Sequence, residues 1–224
     1  MNEYRLRELP IMTYLLLIIQ ILVFAWELFN GGSYNSATLI DAGAKVNQLV
    51  QMGQWWRLLT PIFVHIGWSH LLINSLTLYF VGILLERVYG AWRFLLIYLL
   101  SGLGGNLMSF AFGSNFSVAA GASTSLFGLF GVFVSLGYFF RTNPALRAWS
   151  QQFLILIVFN LVADLFMGQI DIWGHIGGVL SGALLAGIIA VPHQSASLTN
   201  KIRLLCITGV LLLFGVLYYV GMGR

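Results

Sequence analysis

The chain has 224 residues, of which 59% are hydrophobic and only 8% are Asp, Glu, Lys or Arg, and its formal net charge is +4. A soluble domain of this size carries about 25% charged residues, so most of this surface is built to meet lipid, and the mean hydropathy of +0.88 agrees. The length suits one compact helical bundle, no stretch is polar enough for a separate soluble domain, and no block of like charge points to nucleic acid.

Apolar runs long enough to cross about 30 Å of hydrocarbon as helices fall near 11–29, 66–85, 92–112, 121–140, 149–167, 173–191 and 203–222. The expectation is an all-α polytopic membrane protein with seven spans. The first run reads as a span rather than a cleaved signal, because Glu27-Leu28-Phe29-Asn30 follows it instead of a small-residue cleavage site. The one long connection is 30–65. Pro10, Pro61, Pro144 and Pro192 sit at or outside span ends, where a missing amide hydrogen does no harm. Cys206, the single cysteine, lies inside the last run and reads as a small packing residue. Arg5, Arg7, Arg87, Arg93, Arg141, Arg147, Lys201 and Arg203 fall on the side of the N-terminus, against Lys45, Arg57 and Arg224 on the other. That bias puts the N-terminus in the cytoplasm and the C-terminus outside the cell membrane.

Polar side chains inside spans are expensive, so each needs an account. They are His65, His70 and Asn74 around the second span, Ser123 opening the fourth, Asp164 late in the fifth and His175 opening the sixth. Counting back from the cytoplasmic ends at about 1.5 Å per residue puts Ser123, His70 and His175 roughly 3–6 Å below the outer boundary, with Asn74 at about 12 Å. Three helices thus deliver polar residues to one layer. The fourth span opens with Gly121 and carries Gly128 and Gly131. The sixth carries Gly174, Gly177, Gly178, Ser181 and Gly182, and its Gly178-x-x-x-Gly182 face permits close backbone packing.

A serine hydroxyl needs a neighbouring base before it attacks, and His serves near neutral pH. No carboxylate is obviously placed to orient His175, so the pattern predicts a Ser123–His175 dyad. His70 and Asn74, four residues apart on one helix face, and the Ser123 amide at a helix N-terminus are candidate donors to an oxyanion.

On these residues the sequence resembles a rhomboid protease over essentially its whole length. Trp56-Arg57 through His65, His70 and Asn74 is similar to the family's Trp-Arg loop and His–His–xxx–Asn helix. Gly121-Ala122-Ser123 resembles its Gly-x-Ser motif, and Gly174-His175-x-x-Gly178-x-x-x-Gly182 its sixth-helix motif. The resemblance implies Ser123 as nucleophile, His175 as general base, and an oxyanion hole of His70, Asn74 and the Ser123 amide. It also implies transmembrane protein substrates entering past the fifth helix and the 168–173 loop, and a six-helix core over 13–192. A short cytoplasmic segment, 1–12, would precede that core, and a loop with a seventh helix, 193–224, would follow it. The 30–65 connection would be a membrane-embedded loop. No cofactor is implied. Two positions depart from the pattern: Thr124 stands where Gly is usual, expected to add bulk beside the site, and Gly174 where Ala is frequent.

Each feature has a plainer reading. Alone, Ser123 would be a helix cap or packing residue. His65 reads as a structural hydrogen bond within the long loop, Trp56-Arg57 as a loop anchor, and Asp164 as a satisfied helix-end carboxylate in preference to a gate residue. His193 reads as solvated, and Glu86-Arg87 as an exposed or loop-tying pair of little energy. A metal site on His65, His70 and His175 lacks an acidic partner and leaves Ser123 without a role. A transporter would show inverted repeats and midplane polar residues. The remaining alternative is a rhomboid-like pseudoprotease that binds transmembrane helices. It sits poorly with Ser123, His175, His70 and Asn74 all being present.

Overall fold

All seven apolar runs are helical in the computed structural model, which describes residues 9–167, 170–192 and 198–224. Arg5, Arg7, Gly168 and His193, which enter the orientation, entry-route and loop readings, lie outside these residues. Helix α1 (Ile11–Phe29) leads into the long connection, which holds the short helices α2 (Ser36–Asp41) and α3 (Asn47–Gln51) and two 3₁₀ turns at Trp55–Leu58 and Thr60–Phe63. Helix α4 (Gly67–Thr77) continues through a π turn at Leu78–Gly82 into α5 (Ile83–Tyr89), one unbroken rod. Then come α6 (Ala91–Phe112), α7 (Ser123–Phe139), α8 (Pro144–Asp164), α9 (Ile172–Ile188) and α10 (Asn200–Met222). Five of these helical stretches, α1, Gly67–Tyr89, α6, α8 and α10, are long and apolar enough to cross a membrane; α7 and α9 are apolar but shorter. The protein is an all-α, multi-pass membrane protein.

The two short helices occupy the middle of the bundle. At 17 residues each, α7 and α9 cover about 26 Å, less than the hydrocarbon thickness. Their facing glycines explain how they approach: a Cβ on Gly182 would run into the Gly128 backbone, and one on Gly178 into the Thr124 carbonyl. Without a hydrophobic drive between helices in lipid, such backbone contact is what holds the pair. Helices α8 and α10, by contrast, leave most of their surface to lipid.

Polar side chains tie the outer pieces on. Glu86 is not exposed as the sequence suggested: it is buried. Its carboxylate accepts from the Met12 amide (2.9 Å), the Thr13 amide (2.8 Å) and the Thr13 hydroxyl (2.7 Å). The first amides of a helix have no partner within it, and Glu86 fills that need for α1, whose start has no side-chain cap of its own. Arg57 does anchor the long connection, donating to the carbonyls of Ile40 (2.5 Å) and Ala44 (2.9 Å) and to Gln54 (2.6 Å). At the far end of α10, Arg224 donates to the carbonyls of Ala111 and Gly113, and Gln51 donates to that of Gly221. The last helix is thereby fastened to both the long connection and the end of α6. Cys206 packs against Gly187, as a small side chain at a helix crossing.

Candidate active site

The segment that leads into Ser123 is held from below by the long connection. Lys45 and Ala119 exchange backbone hydrogen bonds in an isolated antiparallel bridge (2.8 and 2.9 Å), and the Gly121 amide donates to the Pro61 carbonyl (2.9 Å). Lys45 is completely buried and its ammonium donates to Asn47 Oδ1 (2.9 Å). Asn47 in turn donates to the Phe110 carbonyl and to Asn115. Burial pushes the Lys45 ammonium down to about 8, an effect that Asp171 opposes and Arg224 reinforces.

Gly121 then turns with φ +132°, a conformation open to glycine, and at this point the polar residues meet. The space where a Gly121 side chain would stand is taken by the His70 ring, whose Cε1 and Nε2 lie 2.5 and 2.6 Å from an ideal Cβ, with Asn74 Nδ2 at 3.5 Å. Asn74 is buried and its Nδ2 has no hydrogen-bond partner. A buried amide donor left without a partner costs about 1–3 kcal/mol. Helix α7 opens at Ser123 behind Ala122, with no side chain capping its first amides. They too remain available on the positive end of the helix dipole.

His175 lies in the first turn of α9, whose start is capped by Asp171: its Oδ1 accepts from the Gly174 amide (3.0 Å), and its other oxygen accepts from the Ser109 hydroxyl. The His175 ring stacks flat on Phe127, with centroids 4.0 Å apart and planes within 7°. Phe127 is four residues beyond Ser123 and so on the same helix face. The two helices therefore set Ser123 and His175 on one side of the α7–α9 crossing. The described hydrogen bonds do not join them directly; the one made by the His175 ring goes elsewhere. Nδ1 meets Asp164 Oδ2 at 2.6 Å, with both side chains buried. A carboxylate thus touches the His175 ring, a contact the sequence did not place. Asp164 ends α8 and His175 lies in the first turn of α9, so residues eleven apart in sequence touch. Helical periodicity within a single run cannot foresee that pairing.

His65 lies next to His70 and is buried. Its amide donates to Glu27 Oε1 (3.1 Å), its Nδ1 is 3.3 Å from the Phe63 carbonyl, and its ring meets that of His70 edge-on at 5.3 Å. Burial, with a smaller effect from His70, pushes the His65 imidazole down to about 3, so it is neutral at ordinary pH. Thr124 follows Ser123 and packs between α6 and α9. Its side chain is buried against Gly105, whose ideal Cβ lies 2.7 Å from Thr124 Cβ, and against Gly174, whose ideal Cβ lies 3.0 Å from Thr124 Cγ2. A Cβ at Gly174 would also meet Asp171 Oδ2 at 2.9 Å, so the Thr124 methyl and the Asp171 carboxylate share the room that an alanine at 174 would need. Phe127 and Asp171 went unforeseen, and Asp164, read as a satisfied helix-end carboxylate, has His175 as the partner the sequence did not name; the four-residue step from Ser123 to Phe127 was legible.

Residues 52–192 match the family profile described as Rhomboid domain. The chain is 41% identical over 210 residues to "Rhomboid protease GluP" of Bacillus subtilis (strain 168), covering 94% of this chain and 40% of that protein's length. To "Putative rhomboid protease YdcA" of the same organism it is 33% identical over 181 residues, 81% of this chain and 89% of the other. To "RHOMBOID-like protein 2" of Arabidopsis thaliana it is 39% identical over 176 residues, 75% and 54% of the two chains. The profile runs from the last part of the long connection through α9, the stretch that carries His70, Asn74, Ser123 and His175, and the chain belongs to the rhomboid family.

Proposed function

We propose that the protein is an intramembrane serine endopeptidase that cleaves single-span transmembrane substrates near the outer face of the cell membrane. The observation that carries this reading is the convergence on Gly121. His70 and the unpartnered Asn74 donor crowd its backbone two residues before Ser123, and His175 stacks one turn further along the same helix. Membership of a family whose relatives bear the name rhomboid protease supports it. All seven apolar helices cross the membrane in this reading, with the N-terminus cytoplasmic and the C-terminus outside. The six spans through α9 form the core and α10 is an addition.

In this mechanism a substrate helix enters past α8, unwinds and presents a peptide carbonyl to Ser123. His175 Nε2 takes the hydroxyl proton as Oγ bonds to the carbonyl carbon. The negative charge that develops on the carbonyl oxygen is met by His70, Asn74 Nδ2 and the Ser123 amide. His175 then gives its proton to the leaving amine as the C–N bond breaks. A water molecule repeats the sequence on the acyl-enzyme, with His175 again accepting and returning the proton.

The test is cleavage of a generic single-span substrate by purified protein in proteoliposomes, beside Ser123→Ala and His175→Ala. Loss in both, with unfolding midpoints unchanged, is the expected result. Cleavage that survives Ser123→Ala refutes the nucleophile. A wild-type protein that retains the substrate helix and never cuts it would instead be the helix-binding pseudoprotease.

A further inference from the structure

Helix α10 leaves most of its length to lipid. Its buried residues are Leu217 and Gly221, both within its last two turns. Leu217, 3% exposed, enters a second apolar core with Val50 and Leu58 of the long connection and Leu107, Phe110 and Ala111 of α6. A Cβ on Gly221 would overlap the Phe110 ring, and the Gly221 carbonyl accepts from Gln51 Nε2 (3.0 Å). Arg224 closes the end, donating through Nη1 to the carbonyls of Ala111 (2.8 Å) and Gly113 (2.9 Å). The last carbonyls of a helix have no partner within it, and Arg224 serves that need for α6.

We propose that this outer end of α10 braces the segment that delivers the nucleophile, with Leu217 and Arg224 as positioning residues. The inference rests on Ser123 being the nucleophile of the proposed reaction.

The segment runs from Gly113, where α6 ends, to Ser123, where α7 opens. It has no helix of its own and is held from outside at Asn115, Ala119 and Gly121. Asn47 donates to Asn115 (2.9 Å), Lys45 exchanges backbone hydrogen bonds with Ala119, and the Pro61 carbonyl accepts from the Gly121 amide. These partners all belong to the long connection. Helix α10 grips that connection through Gln51 and Val50, and grips the start of the segment through Ala111 and Gly113. It thus holds together the two pieces between which the segment hangs. Phe110 joins them: its ring lies against Gly221, and its carbonyl accepts from Asn47 (3.2 Å). Loosening here passes to Gly121, where His70 and Asn74 crowd the backbone two residues before Ser123. Misplacing a reacting group by about 1 Å costs about 10²-fold in rate.

The inner half of α10 has no such route to the site. It touches α9 through Cys206 against Gly187 and Gly209 against Leu184. A helix that served simply as an extra span would matter equally at both ends, and activity would follow overall stability.

In proteoliposomes, full-length wild type, Arg224→Gln, Arg224→Lys, Leu217→Ala and Cys206→Leu are compared on one single-span substrate for kcat, KM and unfolding midpoint. Hydrogen exchange of residues 113–122 is followed by mass spectrometry on the same preparations. The brace predicts that Arg224→Gln and Leu217→Ala each lower kcat about tenfold or more, with KM changed less than about threefold. It also predicts exchange in 113–122 about tenfold faster, because the bonds of Ala119 and Gly121 open more often. Arg224→Lys keeps a donor at the end of α6 and should recover part of both effects. Cys206→Leu crowds the Gly187 crossing at the other end of the helix. It should keep kcat within about twofold and leave exchange in 113–122 unchanged, even where the midpoint falls. Outer-end variants that keep kcat within about threefold of wild type, or leave exchange in 113–122 unmoved, overturn the proposal. So does an equal loss of kcat in Cys206→Leu. If the wild type cleaves nothing, the proposed reaction has failed separately, and exchange in 113–122 decides whether α10 braces that segment.

Discussion

Replacing Gly182 with alanine tests whether the α7–α9 crossing sets the reacting distance. An ideal Cβ at Gly182 lies 2.7 Å from the Gly128 Cα and 2.5 Å from its carbonyl carbon. Non-bonded carbons rest at about 3.5–4.0 Å, so the helices must part by about 1 Å to admit the methyl. No flexible side chain can yield, because the obstacle is backbone. Overpacking of this kind costs about 1–3 kcal/mol, offset by the roughly 0.5–1 kcal/mol that alanine gains over glycine in a helix. The net effect is a loss of about 1–2 kcal/mol in stability. Activity suffers more, since a misplacement of about 1 Å between reacting groups costs about 10²-fold in rate. The assay is kcat on a fluorogenic single-span substrate in proteoliposomes, with the unfolding midpoint measured on the same preparation. Gly215→Ala is the control: nothing stands within 4 Å of its ideal Cβ, so it should cleave within twofold of wild type and be no less stable. Gly182→Ala cleaving within twofold, at an unchanged midpoint, would refute the argument that backbone contact here sets the geometry.

In the proposed reaction Asn74 donates to the developing oxyanion, so Asn74→Ala should lower kcat about 10²–10³-fold with KM little changed; a rise in KM alone would make Asn74 a binding residue. Glu86→Gln places an amide hydrogen against donors of the first turn of α1 and should cost about 2–3 kcal/mol of stability without altering kcat, as a denaturation series would show. Gly174→Ala brings a methyl to 3.0 Å from Thr124 Cγ2 and should destabilise by about 1–2 kcal/mol. Adding Thr124→Gly should recover part of this, and a double-mutant cycle with no coupling would deny that the two positions share one space. Lys45 binds its proton with a value near 8 when folded and 10.5 when free. Between those pH values the unfolded chain holds more protons, so stability should rise with pH by up to about 3 kcal/mol. Lys45→Met should abolish that rise, and a flat wild-type profile would show that the folded ammonium is not perturbed.

Much of this protein was legible in the sequence because lipid imposes a simple rule. With no water to satisfy the backbone, each long apolar run had to be a helix, and any polar side chain inside one had to have a reason. That reasoning singled out Ser123, His175, His70 and Asn74, because in the sequence all open or lie early in runs expected to start at one level, and spacing along a helix reports face and expected depth. The Gly178–Gly182 face was readable for the same reason. Tertiary structure alone decided what lies across the gaps between helices. Glu86 looks like a terminal charge in the sequence, yet it caps a helix 73 and 74 residues away. Thr124 reads as bulk after the nucleophile, and its side chain packs between α6 and α9. Asp164 reads as a satisfied helix-end carboxylate, and only the fold names His175 as its partner. A sequence gives the period and length of each element, whereas the rotation of one helix against another is set by how backbones and side chains fill the space between them.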